Sequence, residues 1–210
     1  MGIEEILRLA PVMPVVTIED AAQAAPLART LLAGGLPAIE VTLRTPAALE
    51  AIAIIAREVP EAWVGAGTVL NPDDLEACIQ AGARFAISPG ATPALLEAGR
   101  GAAIPYLPAI ATASELMAGL AAGYGVFKFF PAGVAGGVGA LRVLAGPFPH
   151  ARFCPTGGVD VDNAGAYLAL PNVLCVGGSW ITPKDALAAG DFARIEELAR
   201  AASKLGPAKA

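Results

Sequence analysis

Ala38-Ile39-Glu40-Val41-Thr42-Leu43-Arg44 alternates strictly in polarity, with Ile39, Val41 and Leu43 on one side and Ala38, Glu40, Thr42 and Arg44 on the other. Successive side chains of a strand point to opposite faces, so this stretch has one apolar and one largely polar face. Half-solvated strands belong mostly to antiparallel sheets, whereas parallel strands are covered on both sides. The rest of the chain favours parallel pairing, because apolar runs recur with a longer helical stretch after each. Ile39, Val41 and Leu43 are then expected under helices. Glu40, Thr42 and Arg44 would point inward, rising toward the C-terminal mouth of a barrel. The competing reading is a strand whose polar face is simply solvated.

The apolar runs are Pro14–Thr17, Ala38–Leu43, Trp63–Thr68, Phe85–Ser88, Ile104–Pro108, Val126–Phe130, Arg152–Thr156 and Val173–Gly177. Helical stretches lie between them, including Ala21–Ala33, Ala47–Glu58, Asp73–Ala81 and Ser114–Ala122. Helix starts are expected at Asp20, Thr45-Pro46, Asn71-Pro72, Thr92-Pro93 and Ser114, as cap residues often followed by proline. Stops are expected at Gly34-Gly35, Gly82, Gly99 and Gly123. The strands follow one another at roughly 20–25 residues, one βα unit each. Eight such units predict an α/β fold, a single-domain (β/α)8 TIM barrel with eight parallel strands. Neither G-x-G-x-x-G nor G-x-x-x-x-G-K-[ST] occurs, which counts against an open, doubly wound nucleotide-binding sheet. No linker or composition break divides residues 1–210, and about residues 203–210 are expected to fray.

Composition narrows the function. The 210 residues are 55% hydrophobic and 6% aromatic, with 24 glycines and 18 prolines, too apolar for disorder. Mean hydropathy is +0.59, yet the most apolar stretch, Leu116 to Leu141, contains Lys128, Pro131 and seven glycines. A membrane-spanning helix wants about 20 consecutive apolar residues, so strands and loops are expected and no membrane partner. The net charge of −5 is spread along the chain, and no basic stripe follows a phosphate backbone, so no nucleic acid is expected. Cys78, Cys154 and Cys175 read as buried hydrophobes in a reducing compartment, and His150 sits in a surface-turn context. The expected chemistry uses no metal and no cofactor. Glu4, Glu5 and Arg8 precede any apolar run, unlike a signal peptide, and the cytoplasm is the expected location.

Within Gly125-Val126-Phe127-Lys128-Phe129-Phe130-Pro131, Lys128 interrupts an apolar strand. Burial disfavours an ammonium, and a neutral amine in a dry pocket is what attacks a ketone to form a Schiff base. A lysine with a buried stem and a snorkelling head is the alternative. Glu40 and Lys128 fall on strands two and six, which face each other across an eight-stranded barrel. Such a pair is either a structural ion pair or an acid–base group beside a Schiff-base lysine. Arg44 and Thr68, at the ends of strands two and three, suit a substrate carboxylate or hydroxyl; a surface ion pair and a helix-entry hydroxyl are their plainer readings. Thr156-Gly157-Gly158 and Gly177-Gly178-Ser179 end strands seven and eight, where such loops cradle phosphate in many barrels.

Taken with Gly65-Ala66-Gly67-Thr68-Val69 and Phe85-Ala86-Ile87-Ser88-Pro89-Gly90, these motifs resemble the bacterial 2-keto-3-deoxy-6-phosphogluconate (KDPG) aldolases. Phe127–Ala132, Phe153–Gly158, Gly177-Gly178-Ser179-Trp180 and Glu40–Arg44 carry the rest of the resemblance, in order from about Pro14 to the final helix. The resemblance implies a homotrimeric (β/α)8 barrel and a class I aldolase, a lyase of the Entner–Doudoroff pathway. Its substrate would be a small-molecule keto-acid phosphate, cleaved to pyruvate and glyceraldehyde 3-phosphate. Family members often also cleave 2-keto-4-hydroxyglutarate (KHG) to pyruvate and glyoxylate. By resemblance Lys128 is the Schiff-base lysine and Glu40 the acid–base residue acting through a water. Arg44 and Thr68 handle the pyruvyl end, and Pro89, Phe130 and Thr156 form pocket walls. Gly157, Gly158, Gly178 and Ser179 match the phosphate site. Gly133-Val134-Ala135 and Ala109 depart from the usual family residues, which bears on phosphate affinity and mouth width. Two other readings remain at this point: a phosphosugar isomerase with Glu40 as base, and a non-catalytic, engineered assembly scaffold.

Overall fold

The computed structural model describes residues 1–206. It opens with α1 (Ile3–Leu7), β1 (Val12–Val16), a 3-10 turn at Ala21–Gln23 and α2 (Ala24–Ala33). Then come β2 (Ala38–Thr42), α3 (Ala48–Glu58), β3 (Trp63–Gly67), α4 (Pro72–Gln80), β4 (Ala86–Ile87) and α5 (Pro93–Gly101). Next are β5 (Tyr106–Leu107), β6 (Ala109–Ile110), α6 (Ala113–Ala121), β7 (Val126–Phe129) and α7 (Gly137–Leu144). The chain finishes with β8 (Arg152–Pro155), α8 (Ala164–Leu168), β9 (Val176–Gly178), α9 (Lys184–Ala189) and α10 (Phe192–Ala202). No helix among the described residues is long and apolar enough to cross a membrane.

Six strands form a parallel sheet in the order β5-β4-β3-β2-β1-β9, and β6-β7-β8 form a second, three-stranded parallel sheet. Pro108 separates β5 from β6. Proline has no N–H to give the ladder, yet its carbonyl accepts from the Lys128 N–H at 2.9 Å. On the other side, single bridges from Phe153 to Val173 and from Thr156 to Gly177 tie the β8 strand to the β9 strand.

Two apolar clusters flank the strands. Ile39, Val41, Phe127, Phe129 and Phe153 pack with Leu31, Ile52 and Ile55 of the helices. On the opposite strand face, α1 places Ile6 and Leu7 with Met13, Ala38, Phe85, Cys154 and Cys175. Ile6 and Leu7 are each only 1% exposed, which stabilises the docking of α1 by about 1.5–3 kcal/mol per side chain. The short helix therefore acts as an apolar plug. Its sequence is too brief to advertise a helix on its own.

Several expected boundaries move, each for a physical reason. Helix α5 runs through Gly99 to Gly101. A Cβ at Gly99 would overlap the Tyr106 ring and lie 2.7 Å from Cγ, so this glycine serves packing and not helix termination. Thr45 does not cap α3; its hydroxyl donates to the Ile18 carbonyl. Helix α6 is capped by Thr112, not Ser114: the Thr112 hydroxyl accepts from the Glu115 N–H, and Glu115 accepts from the Thr112 N–H at 2.8 Å. The expected caps at Asp20, Asn71 and Thr92 form, and Gly35, Gly82 and Gly123 take the left-handed backbone that ends a helix. Residues 207–210 of the expected frayed tail lie outside the described residues, while Leu205 is half-buried against the core.

Candidate active site

Register puts Glu40 and Lys128 face to face. Glu40 pairs with Val15 and Gly65, and Lys128 with Ala109 and Cys154. Their neighbours along each strand, Ile39 and Val41, Phe127 and Phe129, turn outward to the helices. The inward side chains meet: Lys128 Nζ donates to Glu40 Oε1 at 2.8 Å, with the two side chains 6% and 2% exposed. A charge-assisted hydrogen bond of this length is a proton-transfer path as well as an ion pair. Removing either partner alone would strand the other group in a site nearly free of water, which typically destabilises by about 3–5 kcal/mol.

The surroundings hold that pair in place. Gly67 is the reason Glu40 can extend: a Cβ there would overlap Oε1 and lie 2.6 Å from Cγ. Thr68, the next residue, is half-buried and has φ 62, a left-handed conformation that is uncommon for a branched residue. It therefore turns the chain sharply at the end of β3. Above Glu40, the buried Thr42 hydroxyl meets the Val16 carbonyl and the Thr17 hydroxyl, each at 3.0 Å. Lys128 Nζ lies 5.5 Å from the centroid of the half-buried Phe130 ring. Half-buried Pro89 follows Ser88, whose buried hydroxyl shares a 2.6 Å hydrogen bond with Tyr106. Burial pushes the Tyr106 phenol up, so it remains a neutral hydrogen-bonding group.

Arg44 lies beyond the strand rather than on it. Its N–H bonds back to the Thr42 carbonyl at 2.8 Å, the side chain is exposed, and it makes no ion pair among the described residues. Thr156 is buried at the end of β8, and Gly177 leaves room for it, since a Cβ there would lie 2.9 Å from Thr156 Cγ2. Gly157 and Gly158 have φ 88 and 75, the left-handed region that glycine enters without strain. Gly178 accommodates the Trp180 ring, while Ser179 is exposed. The Gly133 N–H donates to the Gly157 carbonyl at 2.8 Å, which draws the loop after β7 onto the loop after β8.

Comparison with known proteins gives this geometry its context. The model of a family described as KDPG and KHG aldolase matches residues 3–198. This chain belongs to the KDPG and KHG aldolase family. It is 56% identical over 199 residues to the KHG/KDPG aldolase of Escherichia coli K12, covering 95% of this chain and 93% of that protein. Among solved structures, it is similar to the KDPG aldolase of Legionella pneumophila, with a TM-score of 0.94 and 48% identity over 96% of this chain and 98% of that one. That structure holds pyruvate captured at low pH as a covalent carbinolamine intermediate. The KDPG aldolase of Zymomonas mobilis ZM4, solved with 3-phosphoglycerate, gives a TM-score of 0.91 and 49% identity over 97% of this chain and 95% of that one.

For this aldolase-family chain, some contributors were hidden from sequence reasoning. Gly67 and Gly177 sit in strands as if they were weak points, and only the side chains opposite reveal their use. Cys154 and Cys175 are free, buried and 3.5 Å apart at sulfur, and Cys154 is level with Lys128 in the register of β7 and β8. The contact with Cys154, followed by burial, pushes the Cys175 thiol well up, so it reads as an apolar filler. Among the described residues, no group of three or more His, Cys, Asp or Glu is placed to hold a metal ion. A groove of about 680 Å³ lies outside, between α5 and α6, and contains neither Lys128 nor Glu40.

Proposed function

We propose that the chain is a class I aldolase, a metal-independent carbon–carbon lyase that cleaves KDPG to pyruvate and glyceraldehyde 3-phosphate and also accepts KHG. The buried 2.8 Å contact between Lys128 Nζ and Glu40 Oε1 carries this reading. An ammonium cannot attack a ketone, and Glu40 is placed to take its proton. The free amine adds to C2 of the substrate, giving a carbinolamine. Glu40 returns the proton to the departing hydroxyl, water leaves, and an iminium forms on Lys128. Loss of the C4 hydroxyl proton breaks the C3–C4 bond, and its electron pair flows into the iminium to give an enamine. The aldehyde departs, C3 is protonated, and water hydrolyses the pyruvyl iminium to restore Lys128. Positioned acid–base catalysis of this kind contributes about 10²–10⁴-fold in rate.

Arg44 and Thr68 would bind the pyruvyl carboxylate, Pro89, Phe130 and Thr156 would wall the pocket, and Gly157, Gly158, Gly178 and Ser179 would receive the phosphate. The left-handed glycines at 157 and 158 support that last role by leaving backbone N–H groups uncovered by side chains. We take the two sheets as parts of one closed (β/α)8 barrel. The separation of β5 from β6 by the single residue Pro108 and the two bridges between the β8 and β9 strands favour closure. A homotrimer and a cytoplasmic setting complete the proposal. Exposed Met117 and Val143 offer apolar contact area for assembly, and three free cysteines suit a reducing compartment.

Borohydride reduction in the presence of pyruvate, followed by peptide mass spectrometry, tests the chemistry. A reduced pyruvyl adduct on the peptide containing Lys128, lost in Lys128→Ala together with turnover, is the expected result. A folded protein that stays unmodified would overturn the aldolase reading in favour of an isomerase or a non-catalytic barrel.

A further inference from the structure

We propose that Lys184 is a specificity-determining residue, supplying the positive charge that reads the far anion of the substrate and favours phosphate over an uncharged end. The inference rests on the aldolase reading above and adds to it a residue outside the glycine loops.

Strand register locates the feature. Val15 is level with Glu40 on β2, and Pro14 is level with Gly178 on β9. Ser179 therefore leaves β9 at the level of the lysine–glutamate pair. Thr17 stands one inward position higher, its hydroxyl 3.0 Å from that of Thr42. A cavity of about 160 Å³ opens there, lined by Val15, Thr17, Ser179, Thr182 and Lys184 among others. A second, of about 200 Å³, shares Thr17 and Lys184 and continues outward past Glu19.

The lining has unspent polarity. Thr182 is only 8% exposed, yet its hydroxyl makes no hydrogen bond among the described residues. Lys184 makes no ion pair among them either. The neighbouring Asp185 is engaged by Arg194 at 2.7 Å and does not neutralise it. Glu19 faces the outer cavity and would repel an anion drifting beyond Lys184. Together these groups form a slot with hydroxyl donors, one free cation at its boundary and an acidic limit. That set suits a phosphate monoester lying in the slot, with its carbon chain running down to Lys128. An uncharged hydroxyl in the same place would gain little from the cation.

The aldol direction, with pyruvate and an aldehyde acceptor, separates the effects. The ratio of kcat/KM for D-glyceraldehyde 3-phosphate to that for D-glyceraldehyde should fall roughly tenfold in Lys184→Gln, the effect of one lost charge interaction at a partly solvated site. The loss should appear in KM, be restored in Lys184→Arg, and shrink as salt is raised. An unchanged ratio, or an equal fall with both aldehydes, would overturn the proposal. Isothermal titration with inorganic phosphate needs no aldolase chemistry. Roughly tenfold weaker binding in Lys184→Gln supports the site even if pyruvate forms no adduct, and equal affinity in both proteins refutes it.

Discussion

Replacing Gly67 by alanine adds one methyl group to the structure and leaves Lys128 and Glu40 in the chain. The new Cβ would overlap Glu40 Oε1 and sit 2.6 Å from Cγ and 2.8 Å from Cδ, where ordinary contacts begin at 3.4 Å. Because β3 is paired on both sides, to β2 and β4, its backbone has little freedom to retreat. The flexible element is the Glu40 side chain, which must withdraw by about 1 Å from its place beside Lys128. A misplacement of about 1 Å at a reacting group can lower the rate by about 10²-fold. Overpacking of this size also destabilises by about 1–3 kcal/mol, or roughly 2–12 °C in Tm for a chain of this length. The assay is pyruvate release coupled to lactate dehydrogenase, with thermal melting followed by circular dichroism. We expect kcat to fall by about two orders of magnitude while slow borohydride trapping on Lys128 persists. A folded Gly67→Ala protein with kcat within threefold of the parent and the same Tm would refute the idea that Glu40 is held tightly by the missing Cβ.

Three further outcomes concern stability and reactivity. Glu115 is held below the ordinary carboxylate range, first by the Ala111 N–H and then by its capping partner Thr112, with burial opposing. A depressed carboxylate stabilises above its unfolded pKa of about 4.3 and loses that contribution as pH falls through the folded value. Urea unfolding should therefore show Glu115→Gln to be less stable than the parent at pH 7, with the difference closing below about pH 4. Thr112→Ala should lose about 1 kcal/mol of the same cap. The thiols give an independent check on burial: Cys78 is pushed up to about 12 by burial first and Asp74 next. Iodoacetamide at pH 8 should leave all three buried cysteines unlabelled in the native protein and modify them all in denaturant. Rapid labelling of native Cys78 would contradict its burial on the inner face of α4.

Local signals account for much of what was legible in advance. The Asn71 and Thr92 caps form where the cap-then-proline pattern places them, because a cap satisfies N–H groups only three residues away. Alternation in Ala38–Thr42 correctly separates the helix-facing Ile39 and Val41 from the inward Glu40 and Thr42. Arg44 shows the limit of that pattern. The strand ends at Thr42 and the chain turns there, so strand parity no longer determines where a residue two positions further points. Gly99 failed for a different reason: its use depends on Tyr106, which the helix-end rule does not consider.

By itself, then, the chain's order of residues determined the alternation of strands and helices, the polar face of the second strand and the oddity of a lysine in an apolar run. The sequence motifs also carried the family resemblance. Tertiary structure decided which of those residues meet. Glu40 and Lys128 are 88 positions apart, and the distance between them depends on the register of every strand that separates them. The vacant Cβ positions at Gly67 and Gly177 and the slot that brings Ser179, Thr182 and Lys184 to one wall have the same origin. Periodicity and capping act over a few residues and can be read along the chain, whereas contact across a sheet exists only once the strands are aligned and their side chains packed.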